Sequence, residues 1–157
     1  MRTIATLGYE DATVKRFLAA LREAEVELLV DVRALASSRR PGFAKTALAA
    51  NLAGAGIEYL HLRSLGTPAE GRAAARAGRP DEMRAIFAEH LATPAAREGL
   101  EMLEGLVQSG RRVCLLCLEA DPAHCHRTLV ADALGERIRL RVDHLAVSDE
   151  DDPRGGR

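Results

Sequence analysis

The sequence predicts an α/β fold: a single three-layer domain with a mostly parallel sheet of about five strands flanked by helices. Two patterns lead to this prediction. Five short apolar, β-rich runs alternate with stretches whose apolar residues recur at helical spacing. One of these runs, Glu27 to Val32, is almost continuously apolar, as expected for a parallel strand covered by helices on both faces. The chain of 157 residues suffices for one such domain and is too short for two ordinary ones.

The predicted elements follow one another along the chain with short connections. Strands are expected at residues 3–8, 27–32, 57–62, 112–118 and 139–145, and helices at 13–24, 44–53, 83–91, 95–107 and 125–134. Residues 63–79 have little apolar periodicity, so we expect an irregular, mobile segment there, such as a lid with a helical turn. We assign residues 1–148 to the domain and expect the acidic, glycine-containing tail at 149–157 to be disordered.

The composition describes a well-solvated globular protein. Charged residues make up 29%, hydrophobic residues 47%, and the formal net charge is −1, which excludes a disordered chain and a protein that coats nucleic acid. Only Lys15 and Lys45 among the 22 basic residues are lysines. Almost all positive charge is therefore guanidinium, which binds carboxylates and phosphates as a planar fork.

The apolar runs and the cysteines indicate where the protein is found. The longest strongly apolar run, Val113 to Leu118, is far shorter than the roughly 20 residues that cross a bilayer, so we expect no membrane association. Cys114, Cys117 and Cys125 are odd in number and close together, which suits reduced thiols better than a secreted disulfide framework. These features favour the cytoplasm.

In an open parallel α/β sheet, ligands collect at the carboxyl ends of the strands, and several polar residues are predicted there. Tyr9 follows the first strand, and Asp31 and Arg33 end the second on one face, close enough to orient one another or to hold a polar ligand. His61 ends the third strand. A tyrosine at the edge of the core and a structural ion pair are the alternative interpretations.

The loop from Ser37 to Lys45 contains basic residues and no acidic one. The backbone N–H groups at the start of the next helix, together with Arg39, Arg40 and Lys45, predict a site for an anion such as phosphate. A solvated basic loop without a ligand is the alternative.

The fourth strand and the helix after it carry the most informative group of residues. Cys117 and Glu119 point the same way at the end of the strand, and a Cys-His-Arg run, Cys125, His126 and Arg127, opens the helix. A thiol at a helix start beside His and Arg is favoured as thiolate, so Cys125 is a candidate nucleophile or metal ligand.

Zinc accepts sulfur, nitrogen and oxygen ligands, so this group of residues also fits a metal site. However, the spacing matches no standard zinc motif, and adjacent Cys125 and His126 on a helix would diverge by about 100 degrees. We therefore assign no residue to a metal and rank that interpretation last. Cys114 lies in the middle of a strand and is expected to pack in the core.

An ordered set of motifs runs along nearly the whole chain: TLGYE (6–10), DVR (31–33), SRRPGF (38–43), Leu65-Gly66, CLE (117–119) and CHR (125–127). This set resembles the bacterial and archaeal family called domain of unknown function 488. The resemblance implies an α/β fold of this length standing alone in the cytoplasm, and it implies no activity. This chain departs from the family's pattern at Asp11 and Thr67, where glycine is frequent.

The leading hypothesis is an enzyme for a small anionic or nucleotide-like substrate. Arg33, Arg39 and Arg127 would hold the anion, Glu119 or His126 would move protons, and Cys117 or Cys125 would act as nucleophile. The rival is a non-catalytic module that binds phosphate or nucleic acid. Nucleic acid is less favoured because two Tyr, three Phe and no Trp make a poor stacking surface. No pattern assigns a cofactor or an oligomeric state.

Overall fold

The computed structural model describes residues 1–119 and 125–148. The predicted tail at 149–157, and residues 120–124 between the predicted fourth strand and the helix after it, lie outside the described residues. The strands are β1 (Arg2–Gly8), β2 (Leu28–Asp31), β3 (Glu58–His61), β4 (Val113–Cys117) and β5 (Leu140–His144). The helices are α1 (Val14–Glu23), α2 (Lys45–Gly54), α3 (Ala69–Arg76), α4 (Pro80–Leu91), α5 (Pro94–Gln108) and α6 (His126–Gly135), with a 3₁₀ turn at Arg63–Leu65.

The predicted fold class is confirmed. The sheet has five strands in the order β3-β2-β4-β1-β5, and its four strand pairings are all parallel. Every residue of β2 and β4 is buried, because helices cover both faces of the sheet, and this explains their continuous apolar runs. Helices α1 and α2 pack on one face through residues such as Phe17 and Leu48, and α3 to α6 pack on the other through residues such as Phe87 and Leu103.

The prediction of an irregular segment was wrong for residues 69–76, which form α3. Its sequence, AEGRAAAR, is rich in alanine, which has the highest helix propensity and outweighs the single glycine. Only Gly71 and Ala74 of this helix are buried, so its apolar face is too narrow to produce a visible periodicity. Helix α3 packs against α4 and stands above the carboxyl ends of the strands.

The start of α6 also differs from the prediction by one residue, and the difference matters for the site. Cys125 is not the first helical residue but the N-cap, with an extended backbone (φ −124°, ψ 140°). Its sulfur accepts a hydrogen bond from the backbone N–H of Arg127. The side chain of Cys125 therefore leaves the backbone in a direction that helical geometry does not set.

Asp11 has a φ of 60°, in the left-handed region that glycine adopts without strain and aspartate tolerates. This conformation accounts for the glycine that is frequent at this position of the resembling family. In the described part of the chain, no helix has both the length and the apolar character that a membrane span requires.

Gly66 follows the 3₁₀ turn at a point of close backbone contact. A Cβ atom at this position would lie 2.3 Å from the backbone N and Cα of Ala34. We expect Gly66→Ala to lower the free energy of unfolding by about 1–3 kcal/mol, because the loop that lines the site must shift. Gly105→Ala, in α5 with no atom within 4 Å of the new Cβ, is expected to raise it by roughly 0.5–1 kcal/mol through helix propensity. Urea denaturation measures both, and equal effects of the two substitutions would contradict the account.

Candidate functional site

A cavity of about 540 Å³ opens at the carboxyl ends of β1, β2 and β4. The strand ends form its floor, α3 and the start of α4 form one wall, and Leu35 and Leu118 stand at the side with partly exposed side chains. This is the position at which parallel α/β sheets bind ligands. The floor residues are Tyr9, Arg33, Cys117, Glu119 and His126.

The end of β2 is held by a buried ion pair. Arg33 Nε lies 2.9 Å from Asp31 Oδ1 and Arg33 Nη2 lies 2.7 Å from Asp31 Oδ2, so the guanidinium and the carboxylate meet as two planar forks. Burial alone would lower the pKa of Arg33, but the hydrogen bonds and charge of Asp31, supported by Tyr9, raise it well above its usual value. Arg33 is therefore a permanently charged structural cation, and its charge is neutralised by Asp31.

Two tyrosines complete this ion pair. Tyr59 donates its hydroxyl hydrogen to Asp31 Oδ2 at 2.6 Å, and burial together with this carboxylate raises the pKa of the phenol. The hydroxyl of Tyr9 accepts a hydrogen bond from Arg33 Nη1 at 3.2 Å, while its ring stacks on Phe43 with centroids 4.6 Å apart. Tyr9 therefore contributes to the floor as a fixed side chain.

Two imidazoles bind the backbone just after this pair. His61 Nε2 lies 2.7 Å from the carbonyl oxygen of Arg33, and His126 Nε2 lies 2.6 Å from that of Val32. A carbonyl oxygen only accepts, so each Nε2 must carry a hydrogen. Burial lowers the pKa of His126 to about 4, which makes this imidazole neutral at pH 7. Its Nδ1 is consequently unprotonated and carries a lone pair.

That lone pair faces sulfur. His126 Nδ1 lies 3.9 Å from Cys125 Sγ, and the sulfurs of Cys125 and Cys117 are within bonding distance of each other. Ligand atoms of Cys117, Cys125 and His126 all lie within 4.8 Å of one another, a grouping able to hold a metal ion. The edge of the His126 ring packs against Phe87, with ring centroids 5.3 Å apart, which fixes the plane of the imidazole.

Arg127 lies behind the sulfurs with none of its side chain exposed. Its Nη1 is 3.5 Å from Cys117 Sγ, its backbone N is 3.5 Å from Cys125 Sγ, and it also donates to the carbonyl oxygen of Glu119. A guanidinium and a helix N-terminus next to sulfur favour the thiolate form. The carboxylate of Glu119 lies on the cavity side, with Oε2 3.6 Å from Cys117 Sγ.

The structure brings together only part of the residues that the sequence singled out. Arg33, Cys117, Glu119 and His126 line the cavity with Tyr9, whereas Asp31, His61, Cys125 and Arg127 support the floor from below or beside it. Arg127 is buried at the sulfurs and does not line the cavity that would receive an anion.

The basic loop before α2 contributes Ser37 to the cavity lining but none of its basic residues. Arg39 and Lys45 are exposed and do not line it, and the N–H of Lys45 donates to the carbonyl oxygen of Ala36 at 2.8 Å. Arg40 donates to the carbonyl oxygen of Ala12. One of the backbone N–H groups expected to bind an anion, that of Lys45, is thus already hydrogen-bonded within the protein.

Two arginines that the sequence analysis did not select line the cavity from α3. Arg72 and Arg76 are one helical turn apart, and Arg72 Nη1 donates to the carbonyl oxygen of Thr67 at 2.8 Å. Their i, i+4 spacing was visible in the sequence, but it had no meaning without a helix at 69–76.

Cys114, in contrast, packs in the core as expected, and burial raises the pKa of its thiol.

Removing the carboxylate of Asp31 tests the ion pair. We expect Asp31→Asn to lower the free energy of unfolding by about 3–5 kcal/mol, because the Arg33 guanidinium would remain buried without its counter-charge. The matched control is Asp143→Asn in the exposed Arg141–Asp143 pair, for which we expect about 0–1 kcal/mol. Both are measured by urea denaturation, and a loss at Asp31 no larger than at Asp143 would argue against the structural role.

Comparisons with known proteins identify the family and nothing further. No curated protein and no solved structure matches this chain. The family model described as "Domain of unknown function DUF488" matches residues 13–134, which is more than half of the chain and includes α1, the floor residues from Arg33 onward and all of α6 but its last residue. The protein therefore belongs to the DUF488 family.

Proposed function

We propose that the protein is an enzyme that binds a small anionic substrate in the strand-end cavity and acts on it with the sulfur and imidazole groups of the floor. The observation that carries this proposal is the presence in one cavity of two arginines from α3 and of Cys117, Glu119 and His126. Binding groups and reactive groups thus line the same cavity, as a catalytic site requires.

The charge of the cavity favours an anion. The charge of Arg33 is neutralised by Asp31, but Arg72 contacts a neutral carbonyl oxygen, and no ion pair of Arg76 occurs among the described residues. Glu119 is the only acidic residue among the described residues that line the cavity. Two guanidinium groups on one helix face therefore outweigh one carboxylate, and guanidinium binds phosphate or carboxylate in a bidentate manner.

Most of the remaining lining is apolar and favours a ligand with an apolar or aromatic body. Leu35, Met83 and Leu118 line the cavity, and the side chains of Leu35 and Leu118 are 58% and 43% exposed. A volume of about 540 Å³ is typical of sites for ligands of nucleotide size. A nucleotide-like or other phosphate-bearing molecule, with its anion at α3 and its body over the leucines, satisfies both walls.

The position of the reactive groups refines the sequence-based roles. Of the two sulfurs next to His126, that of Cys117 belongs to a residue lining the cavity, whereas Cys125 does not line it. We therefore assign contact with the substrate to Cys117 and a supporting role to Cys125. Glu119, beside Cys117 and open to the cavity, is placed to exchange a proton with the substrate.

The anion site is tested with Arg76→Ala. Inorganic phosphate, adenosine monophosphate and a sugar phosphate serve as probes in a thermal-shift screen, because a ligand of the native state raises its apparent stability. For the probe that stabilises the protein, we expect Arg76→Ala to weaken binding about tenfold by calorimetry, which corresponds to about 1.4 kcal/mol. The control is Arg22→Ala, at the exposed end of α1, which removes the same charge outside the cavity and should leave binding unchanged.

Equal weakening by both substitutions would show a diffuse charge effect and would contradict a site at α3. Stabilisation only by oligonucleotides, with a steep dependence on salt, would favour the rival binding module. Phosphorus NMR of the bound probe over several hours then separates an enzyme, which converts a probe of the right class, from a module that leaves every bound probe intact.

A further inference from the structure

We propose that Cys117, Cys125 and His126 form a site for one zinc-class metal ion at the floor of the cavity, with a coordination position directed to the bound substrate. The inference rests on the proposed function, because it names the group with which the cavity floor would act on an anion. Its ligands are two sulfurs and one imidazole nitrogen.

The donor atoms have the chemistry of a tetrahedral zinc site, and the sulfur-to-nitrogen distance is close to that of such a site. With Zn–S of about 2.3 Å and Zn–N of about 2.0 Å, two ligand sulfurs lie about 3.8 Å apart and a sulfur and a nitrogen about 3.5 Å apart. His126 Nδ1 lies 3.9 Å from Cys125 Sγ, and all three donors lie within 4.8 Å of one another. The sulfurs of Cys117 and Cys125, which are within bonding distance of each other, would have to move apart to about 3.8 Å for all three donors to surround one ion.

The second contact of His126 is the one that a metal-bound histidine needs. Its Nε2–H donates to the carbonyl oxygen of Val32 at 2.6 Å, which fixes the tautomer and leaves Nδ1 with its lone pair beside the sulfurs. The ring is further held by Phe87. The imidazole of His126 is thus held by a backbone carbonyl and an aromatic ring with its Nδ1 directed at the sulfurs, as a metal ligand requires.

The expectation that the side chains of Cys125 and His126 diverge was wrong. The main geometric objection to a metal site therefore no longer holds. That expectation placed both residues within a helix, where successive side chains are rotated by about 100 degrees. Because Cys125 is an extended N-cap, its sulfur turns back toward the ring of the next residue. Adjacent residues thus supply two donors to one point.

The backbone separation of the two cysteines suits two ligands better than a disulfide. The Cα atoms of Cys117 and Cys125 are 7.2 Å apart. Disulfides usually span about 4.4–6.8 Å between Cα atoms, and a larger separation requires backbone movement. Two thiolates that share an ion need no direct bond, and the N–H donors of Arg127 stabilise both as thiolates.

The proposed ion would be accessible to the substrate. Cys117 and His126 line the cavity, so an ion between them faces the same space as Arg72 and Arg76. Three protein ligands leave one tetrahedral position for water or for an oxygen of the anion, which is the pattern of catalytic rather than structural zinc. There the ion would polarise a phosphoryl or carbonyl oxygen as a Lewis acid.

The first test uses the unaltered protein. After reduction and removal of metal, we expect the protein to take up one zinc ion per chain, measured by elemental analysis. With Co²⁺ in place of zinc, we expect the visible absorption and the sulfur-to-metal charge-transfer absorption of a tetrahedral site with two thiolates. Zinc should protect two of the three thiols from alkylation, with Cys114 identified separately by mass spectrometry. Absence of stoichiometric zinc, or two thiols found quantitatively as a disulfide in freshly lysed cells, would overturn the proposal.

Two variants locate the site, each with a control of the same residue type. Cys125→Ser retains a good N-cap for α6 but loses the thiolate, and His126→Gln loses Nδ1, so each should weaken zinc binding by about a hundredfold or more. Cys114→Ala, in the core, and His144→Gln, on β5, should leave zinc affinity unchanged. Circular dichroism establishes that each variant is folded, and zinc affinity that survives both site substitutions would overturn the proposal.

Arg76→Ala separates this inference from the function on which it rests. It should bind zinc with unchanged affinity while losing the phosphate probe about tenfold, because Arg76 lines the cavity and supplies no metal donor. Stoichiometric zinc without binding of any anion would support the metal site and contradict the proposed function. Anion binding by a protein that takes up no zinc would contradict the metal site and support the proposed function.

Discussion

The buried ion pair between Asp31 and Arg33 is the interaction on which the site depends. Burying two charges costs several kcal/mol, and an apolar pair of similar volume is often as stable, so stability alone does not account for it. The pair instead fixes the backbone at the end of β2, through four hydrogen bonds that include the backbone N–H of Arg33 and the hydroxyl of Tyr59. The carbonyl oxygens of Val32 and Arg33 consequently have set directions, and one of them orients His126.

The sheet then brings the remaining groups to the same place. Strand β4 lies between β1 and β2. Cys117, at its end, pairs with Gly8 of β1, and it directly follows Leu116, the residue that pairs with Asp31 of β2. Helix α6 begins beside it, and the extended N-cap directs Cys125 inward. Two sulfurs, an imidazole and the guanidinium of Arg127 thus meet where three adjacent strands end, and α3 covers them with two further arginines.

Local sequence patterns predicted the scaffold because strands and helices both leave a pattern of apolar residues within a short stretch of sequence. Continuous apolar runs mark strands buried on two faces, and the ion pair that was one interpretation of Asp31 and Arg33 is present at the end of β2. The site was predicted less completely because its geometry depends on contacts between residues that are far apart in the sequence. The meeting of Cys125 with its neighbouring histidine follows from the extended backbone of the N-cap, and the arginines of α3 acquire a role only once that helix lies over the sheet.

The measurement that tests the account most directly is the tautomer of His126 in the reduced, metal-free protein, read from the nitrogen-15 shifts of its ring at neutral pH and assigned with His126→Gln. The account predicts a neutral ring with hydrogen on Nε2 and none on Nδ1, because the carbonyl oxygen of Val32 accepts that hydrogen. A ring protonated on Nδ1, or charged at neutral pH, would show that the end of β2 does not orient this imidazole toward the sulfurs and would contradict the site described here.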